Sequence, residues 1–216
     1  MFELILIIIT GAIAYRIVSN PPIAHEEVPK RISNRLTGLW DVAQKGMKED
    51  KLVRAEKALL TILKIDEKNA AAYNRLGILY AKQKEFDDAI DCFEIASTME
   101  RSASSLHNLG LIYYETEQYE KASIAFKQAL ELEDRLAARH IAYAKTLERI
   151  GRDTEMLEEL EIASELEPNQ ETLNLLLRAY QTRDMDKEAK QTERRLKKVI
   201  LSKKRTRTKR PAKAVV

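Results

Sequence analysis

The chain has 216 residues, of which 33% are charged and 6% aromatic, with six glycines, five prolines and one cysteine. So much charge with so little glycine and proline points to a helical protein with a solvated exterior and away from a sheet-rich one. The formal net charge is only +3, but eleven lysines and arginines and no acid follow from Arg194 onward, against 26 basic and 34 acidic residues before it. An acidic body therefore carries a basic end. The single cysteine, Cys92, excludes an internal disulfide and a cysteine-built zinc site, and it reads as a small apolar side chain in a helix.

The chain begins MFELILIIITGAIAYRIV, with no charged side chain between Leu4 and Tyr15. As a helix, residues 2–18 rise roughly 25 Å, slightly short of a ~30 Å hydrocarbon core. Tyr15 suits the interface and Arg16 can snorkel to the headgroups. The segment is read as an uncleaved single-pass transmembrane anchor. Two alternatives stand beside it: a buried core helix, and a cleaved export signal with Ala12–Ala14 at its cleavage site, although such a signal expects positive charge ahead of the apolar run. Arg16, Lys30, Arg31 and Arg35 all follow the run, so the positive-inside rule puts the rest of the chain on the cytoplasmic side. Residues 19–35 hold three of the five prolines and are expected to be a linker.

From residue 36 the chain repeats itself. The stretches 70–102, 103–136, 137–169 and 170–201 align as units of 33 or 34 residues, with an earlier, degenerate copy at 36–69. The eighth position holds Gly77, Gly110, Ala144 and Leu177; the eleventh holds Tyr80, Tyr113, Leu147 and Tyr180. The twentieth holds Ala89, Ala122, Met156 and Ala189, the twenty-fourth Phe93, Phe126, Leu160 and Glu193, and the twenty-seventh Ala96, Ala129, Ala163 and Leu196. The first copy answers with Ala43, Ala55, Leu59 and Ile62. Positions eight and eleven share one face of a first helix, and twenty, twenty-four and twenty-seven share one face of a second. Small residues at eight and twenty let the two helices cross closely while the rings fill the space alongside. One such hairpin cannot bury its apolar face alone, so it stacks on the next. Gly46 stands where the first copy should carry tyrosine, which predicts a short or distorted first helix there. Glu193, in an aromatic place, marks the last copy as a polar-faced cap.

The end of the chain, residues 202–216, lacks apolar periodicity and is expected to be disordered. Its Lys203, Lys204, Arg205, Arg207, Lys209 and Arg210 offer contact with an anionic lipid surface or, less favoured because no aromatic is interleaved, with nucleic acid; a merely solubilising tail is the plain alternative.

The pattern Leu-Gly-x-x-Tyr, then Ala, aromatic and Ala, in LGILY…A…F..A and LGLIY…A…F..A, resembles the tetratricopeptide repeat (TPR) family, with the family's closing proline present once as Pro168. The resemblance implies an all-α fold, an α-α superhelix of about five helix hairpins, over residues 36–201. It also implies a protein-interaction scaffold whose first helices line a concave groove. Carried over copy by copy, the groove positions are Asn74 and Ile78; His107, Leu111 and Tyr114; Ile141 and Lys145; and Asn174 and Arg178. Tyr114, Lys145 and Arg178 are the strongest candidates for ligand contact, whereas Leu111 and Ile141 are rivalled by a role in padding neighbouring repeats. Chaperone-binding members use a two-carboxylate clamp. Asn108 fits one clamp place, but Ile78, Ala138 and Ala142 occupy others, so a chaperone's acidic C-terminus is not an expected ligand. The arrangement is also similar to bacterial inner-membrane proteins with a short anchor ahead of cytoplasmic TPRs. One such family ends in a paired CxxC metal domain that has no counterpart here, so that likeness implies topology alone.

No catalytic constellation, phosphate-cradling loop or metal pattern stands out, and neither an enzyme nor a cofactor is expected. His107 and His140 fall in successive first helices but at different places in the unit. They are expected to point apart, one at the surface and one packed. The carboxylates of Glu155, Glu158, Glu159 and Glu161 read as a solvated face. The function this supports is a membrane-tethered adaptor that binds a protein partner through the groove at the cytoplasmic face. An exported TPR protein with a cleaved signal, and an anionic-surface or nucleic-acid binder working through the tail, are the alternatives.

Overall fold

The computed structural model describes residues 30–208. The segment read as an anchor, most of the linker, and Lys209 onward lie outside the described residues. Among the described residues no helix is long and apolar enough to cross a membrane.

The described residues form ten helices: α1 Lys30–Lys48, α2 Leu52–Ile65, α3 Ala70–Gln83, α4 Phe86–Met99, α5 Ala103–Glu115, α6 Tyr119–Leu132, α7 Ala137–Arg149, α8 Asp153–Leu166, α9 Gln170–Gln181 and α10 Asp186–Thr208. They pair as five successive hairpins. Each second helix also packs on the first helix of the next hairpin, and α5 touches both α3 and α7 directly. The all-α repeat architecture expected from the sequence is therefore present.

The small and large positions of the unit make this stacking possible. Phe93 and Phe126, on α4 and α6, are almost wholly buried, each burial worth roughly 2–3 kcal/mol. They lie against Gly77 of α3 and Gly110 of α5: a Cβ at Gly77 would sit 2.8 Å from the Phe93 ring, and one at Gly110 2.7 Å from the Phe126 ring. Ala55, Ala89, Ala122, Met156 and Ala189, the twentieth positions of the five copies, are all buried. In the last copy Leu177, Glu193 and Leu196 are only half-buried, as suits the last hairpin among the described residues.

Neighbouring hairpins are also joined by polar bonds from the tyrosines of the eleventh position. The Tyr80 hydroxyl on α3 donates to Glu56 on α2 at 3.1 Å, Tyr113 on α5 to Glu94 on α4 at 2.5 Å, and Tyr180 on α9 to Glu161 on α8. Burial first, and then the adjoining carboxylate, push the Tyr80 phenol up to about 12 and raise Tyr113 and Tyr180 in the same direction, so these hydroxyls stay protonated donors. Leu147 breaks the series. At that junction Tyr143 bonds to Ser123 instead; within the fourth hairpin, His140 ties α7 to α8. The imidazole of His140 meets the Glu159 carboxylate at 2.6 Å and the Asp134 carbonyl at 2.7 Å. Burial opposes its charge, but these two bonds outweigh burial and raise its pKa.

Each hairpin turns through one residue in the left-handed conformation. Asp50, Lys84, Glu117, Gly151 and Asp184 all have positive φ and all occupy the fifteenth place of the unit. Only one of the five is glycine, the residue for which that conformation is free of side-chain clash. The first helices of the hairpins are capped unevenly: Asn69 accepts from the Ala72 amide at 2.9 Å, and Asn169 and Thr172 form a reciprocal capping box.

Four expectations are corrected. The helix α1 starts at Lys30, immediately after Pro29, so the last six residues of the segment read as a linker are helical. It is 19 residues long rather than short. Gly46 does not distort it, but admits the start of α2: a Cβ there would lie 3.0 Å from the Ala55 nitrogen. The tail is not irregular from residue 202 onward, because α10 continues to Thr208. Once a helix is nucleated on the solenoid, each further lysine or arginine adds a backbone bond at little propensity cost. Finally, neither His107 nor His140 is a surface residue: the first is half-buried and the second buried.

Cys92 is buried as expected. Burial, reinforced by Asp88 and Asp91, pushes its thiol up to about 11, which leaves it without reactive thiolate character near neutral pH.

Candidate partner groove

Because the unit recurs every 33 or 34 residues, the same helical face of α3, α5, α7 and α9 presents corresponding positions side by side. Five of the nine expected groove residues meet in one hollow of about 320 Å³: His107, Leu111 and Tyr114 from α5, and Ile141 and Lys145 from α7. Phe126 closes its floor, and Glu171 of α9 stands at its far side. A second hollow of about 390 Å³ shares Tyr114 and Lys145 with the first and adds Glu148, Leu175 and Arg178. The two form one groove across α5, α7 and α9, and Tyr114, Lys145 and Arg178 line its second part together.

The remaining expected residues are placed differently. Ile78 is half-buried and packs against the central core, so it pads the α3–α5 contact as well as facing outward. The Asn74 side-chain Oδ1 accepts from the Asn108 side-chain amide at 3.4 Å. Asn174 is exposed and lines neither hollow. Of the basic residues assigned to the tail, Lys203, Lys204, Arg205 and Arg207 fall on α10, while Lys209 and Arg210 lie outside the described residues.

The groove is apolar at its base and polar at its edges. The His107 ring packs on the Phe126 ring with centroids 5.4 Å apart, and its Nδ1 is buried without a partner. Burial, helped by the Arg139 guanidinium, lowers its pKa, so His107 is neutral at physiological pH. Tyr114 packs edge-on against Tyr119 at 5.4 Å, which fixes one wall. Among the described residues Lys145 and Arg178 form no ion pair, unlike Arg139 with Glu133, Arg152 with Glu155 and Arg183 with Asp153. Both cations are exposed and free to meet a ligand.

The sequence reading missed Glu115, Glu148, Leu175 and Thr182, which also line the groove. All lie three or four positions from expected groove residues, so they belong to the next turn of the same helical face.

A larger hollow, about 720 Å³, lies on the first hairpin, lined by Leu39, Val42, Leu52 and Val53 among others. It belongs to α1 and α2 alone and does not bring residues of several repeats together.

Comparison with known proteins agrees with this architecture. Residues 68–132 match the tetratricopeptide repeat family, which covers the two most regular copies. Solved structures of the same fold include a MamA protein, with a TM-score of 0.69 and 19% identity over 85% of this chain and 100% of that one. MamA from Desulfovibrio magneticus RS-1, residues 41 to the end, gives 0.67 and 13% over 79% of this chain and 96% of that one. YrrB, a TPR protein with an unusual peptide-binding site, gives 0.62 and 20% over 73% of this chain and 82% of that one. No curated protein matches the sequence.

Proposed function

We propose that this chain, a tetratricopeptide repeat protein, is a scaffold that holds an extended protein segment across the groove of α5, α7 and α9, tethered to a membrane with its repeats on the cytoplasmic side. The observation that carries the reading is the convergence of Tyr114, Lys145 and Arg178, from three separate first helices, on one hollow. YrrB, with the same fold, has a peptide-binding site, and a scaffold role calls for no catalytic group. The tether rests on the uncharged run Leu4–Tyr15 and the cations that follow it. Tethering confines encounters to the membrane neighbourhood and raises the effective concentration of a partner held there.

The test is a crosslinked pull-down from gently solubilised membranes, with the native chain beside a variant in which Tyr114, Lys145 and Arg178 are all changed to Ala. A partner held by the native chain and lost from the variant supports the groove; equal capture by both places binding elsewhere. For the tether, the full chain should sediment with membranes and keep its N-terminal mass. Recovery in the soluble fraction with an intact N-terminus, or as a processed chain outside the cytoplasm, contradicts it.

A second contact is proposed for the basic end, where eleven cations run from Arg194 onward without an acid. An anionic lipid surface would attract such a stretch by about 1 kcal/mol per residue near the headgroups. Vesicle binding that survives deletion of residues 203–213 rules that contact out.

A further inference from the structure

The cations of the groove are not scattered. At the ninth place of successive units stand Ile78, Leu111, Lys145 and Arg178, one each on α3, α5, α7 and α9. Equivalent places on equivalent helices make a row that crosses the first helices at one height. Its first half is apolar, with Ile78 half-buried and Leu111 exposed; its second half is two exposed cations without ion pairs among the described residues. Three acids flank the row without entering it: Glu115 and Glu148 about a turn beyond it, and Glu171 about two turns before it.

We infer that the segment recognised by the groove is an extended chain with apolar side chains in one half and acidic side chains in the other, repeating about every three residues. The inference rests on the groove reading above and specifies its ligand. Packed helices lie about 8–10 Å apart, and an extended chain advances about 3.3 Å per residue, so one repeat corresponds to about three ligand residues. Two apolar side chains meet Ile78 and Leu111, the nearer one reaching the slot that His107 and Ile141 complete. Two carboxylates meet Lys145 and Arg178. The flanking acids select the shape of the ligand. A broad acidic surface would meet Glu115, Glu148 and Glu171 as well as the cations, whereas a single strand lying in the row touches the cations alone. The basic end of the same chain, or of a second copy, is excluded as occupant by like charge.

The test is fluorescence anisotropy on the full chain with labelled twelve-residue peptides. The probe peptide carries Leu at its first and fourth positions and Asp at its seventh and tenth, with Ser and Ala elsewhere. Comparison peptides carry Asn, or Lys, in place of both Asp residues. The acidic peptide should bind about three- to tenfold more tightly than the Asn peptide, and the advantage should shrink as salt rises. The Lys145→Glu/Arg178→Glu double variant, checked for native helix content, should reverse the order and prefer the Lys peptide. Equal binding of the acidic and Asn peptides overturns the charge inference and leaves the groove reading to the pull-down. Unchanged preference in the charge-reversed variant overturns it too, because the acids are then read elsewhere. Failure of every peptide to bind overturns the proposed pattern, while loss of a partner from the alanine variant would still uphold the groove.

Discussion

The first four copies pair a small residue on the first helix with a larger one on the second, and the sizes compensate from copy to copy. Where the second helix carries Phe93 or Phe126, the first carries Gly77 or Gly110; where it carries Leu59 or Leu160, the first carries Ala43 or Ala144. All eight are buried. Changing Gly77 to Ala puts a Cβ 2.8 Å from the Cε1 and Cζ atoms of Phe93, where carbon atoms ordinarily rest about 3.5–4.0 Å apart. The ring must move by most of an ångström in a packed core, a strain of about 1–3 kcal/mol, partly offset by about 1 kcal/mol of helix propensity gained on leaving glycine. The single variant should therefore lose up to about 2 kcal/mol. Phe93→Leu alone should lose about 1 kcal/mol through incomplete filling of the same space. The double variant recreates the Ala–Leu pair found at Ala144 and Leu160, and should return to within about 0.5 kcal/mol of the native chain. A coupling of about 1–2 kcal/mol then appears in the double-mutant cycle. Urea unfolding followed by helix content measures all four proteins, with an unchanged denaturant slope as the check that the solenoid still unfolds as one unit. Additive losses would refute the reasoning, since they would mean that the two positions do not share a space.

Three further outcomes follow from the same geometry. Glu117→Gly, at a left-handed turn residue, should stabilise by about 0.5–1 kcal/mol, whereas Gly151→Ala at the equivalent turn should destabilise by about 1 kcal/mol; chemical denaturation reads both. Removal of the hydroxyl in Tyr113→Phe deletes the bond to Glu94 and should cost about 1 kcal/mol, with no change in helix content. For His140, the folded pKa is raised above its unfolded value, so its contribution to stability is fully present below about pH 6.5 and is lost as pH rises through the folded value. The melting temperatures of the native chain and of His140→Gln should therefore be furthest apart near pH 5.5 and draw together in alkaline buffer; a gap that widens with pH contradicts the assignment.

The packing code was legible because a repeat displays it several times. Gly77 with Phe93 means little as a single pair, but its recurrence as Gly110 with Phe126 identifies two surfaces in contact. The turns were not legible, because Asp50, Lys84, Glu117 and Asp184 hold a left-handed conformation that their side chains do not advertise; tertiary stacking imposes it against local preference. The junction at His140 was hidden for a different reason. Its partners, Glu159 and the Asp134 carbonyl, come from the next helix and the preceding loop, and no periodicity connects them. In the groove, the middle turn of each first helix was readable from the unit, whereas Glu115, Glu148 and Leu175 depend on how deeply neighbouring helices expose their adjoining turns. The extension of α10 to Thr208 shows the limit of a charge-based reading: high charge argued for disorder, but a docked helix propagates through lysine and arginine.

The central claim is that the ligand lies across the first helices. The most direct measurement places a photoreactive amino acid at Leu111, in the groove, and in a second protein at Ile124, which is exposed on α6, and irradiates both in cells. The account predicts one crosslinked partner from position 111 that is absent from position 124 and lost when Lys145 and Arg178 are changed to Glu. The same partner captured from position 124, or captured from position 111 regardless of the two cations, would contradict it.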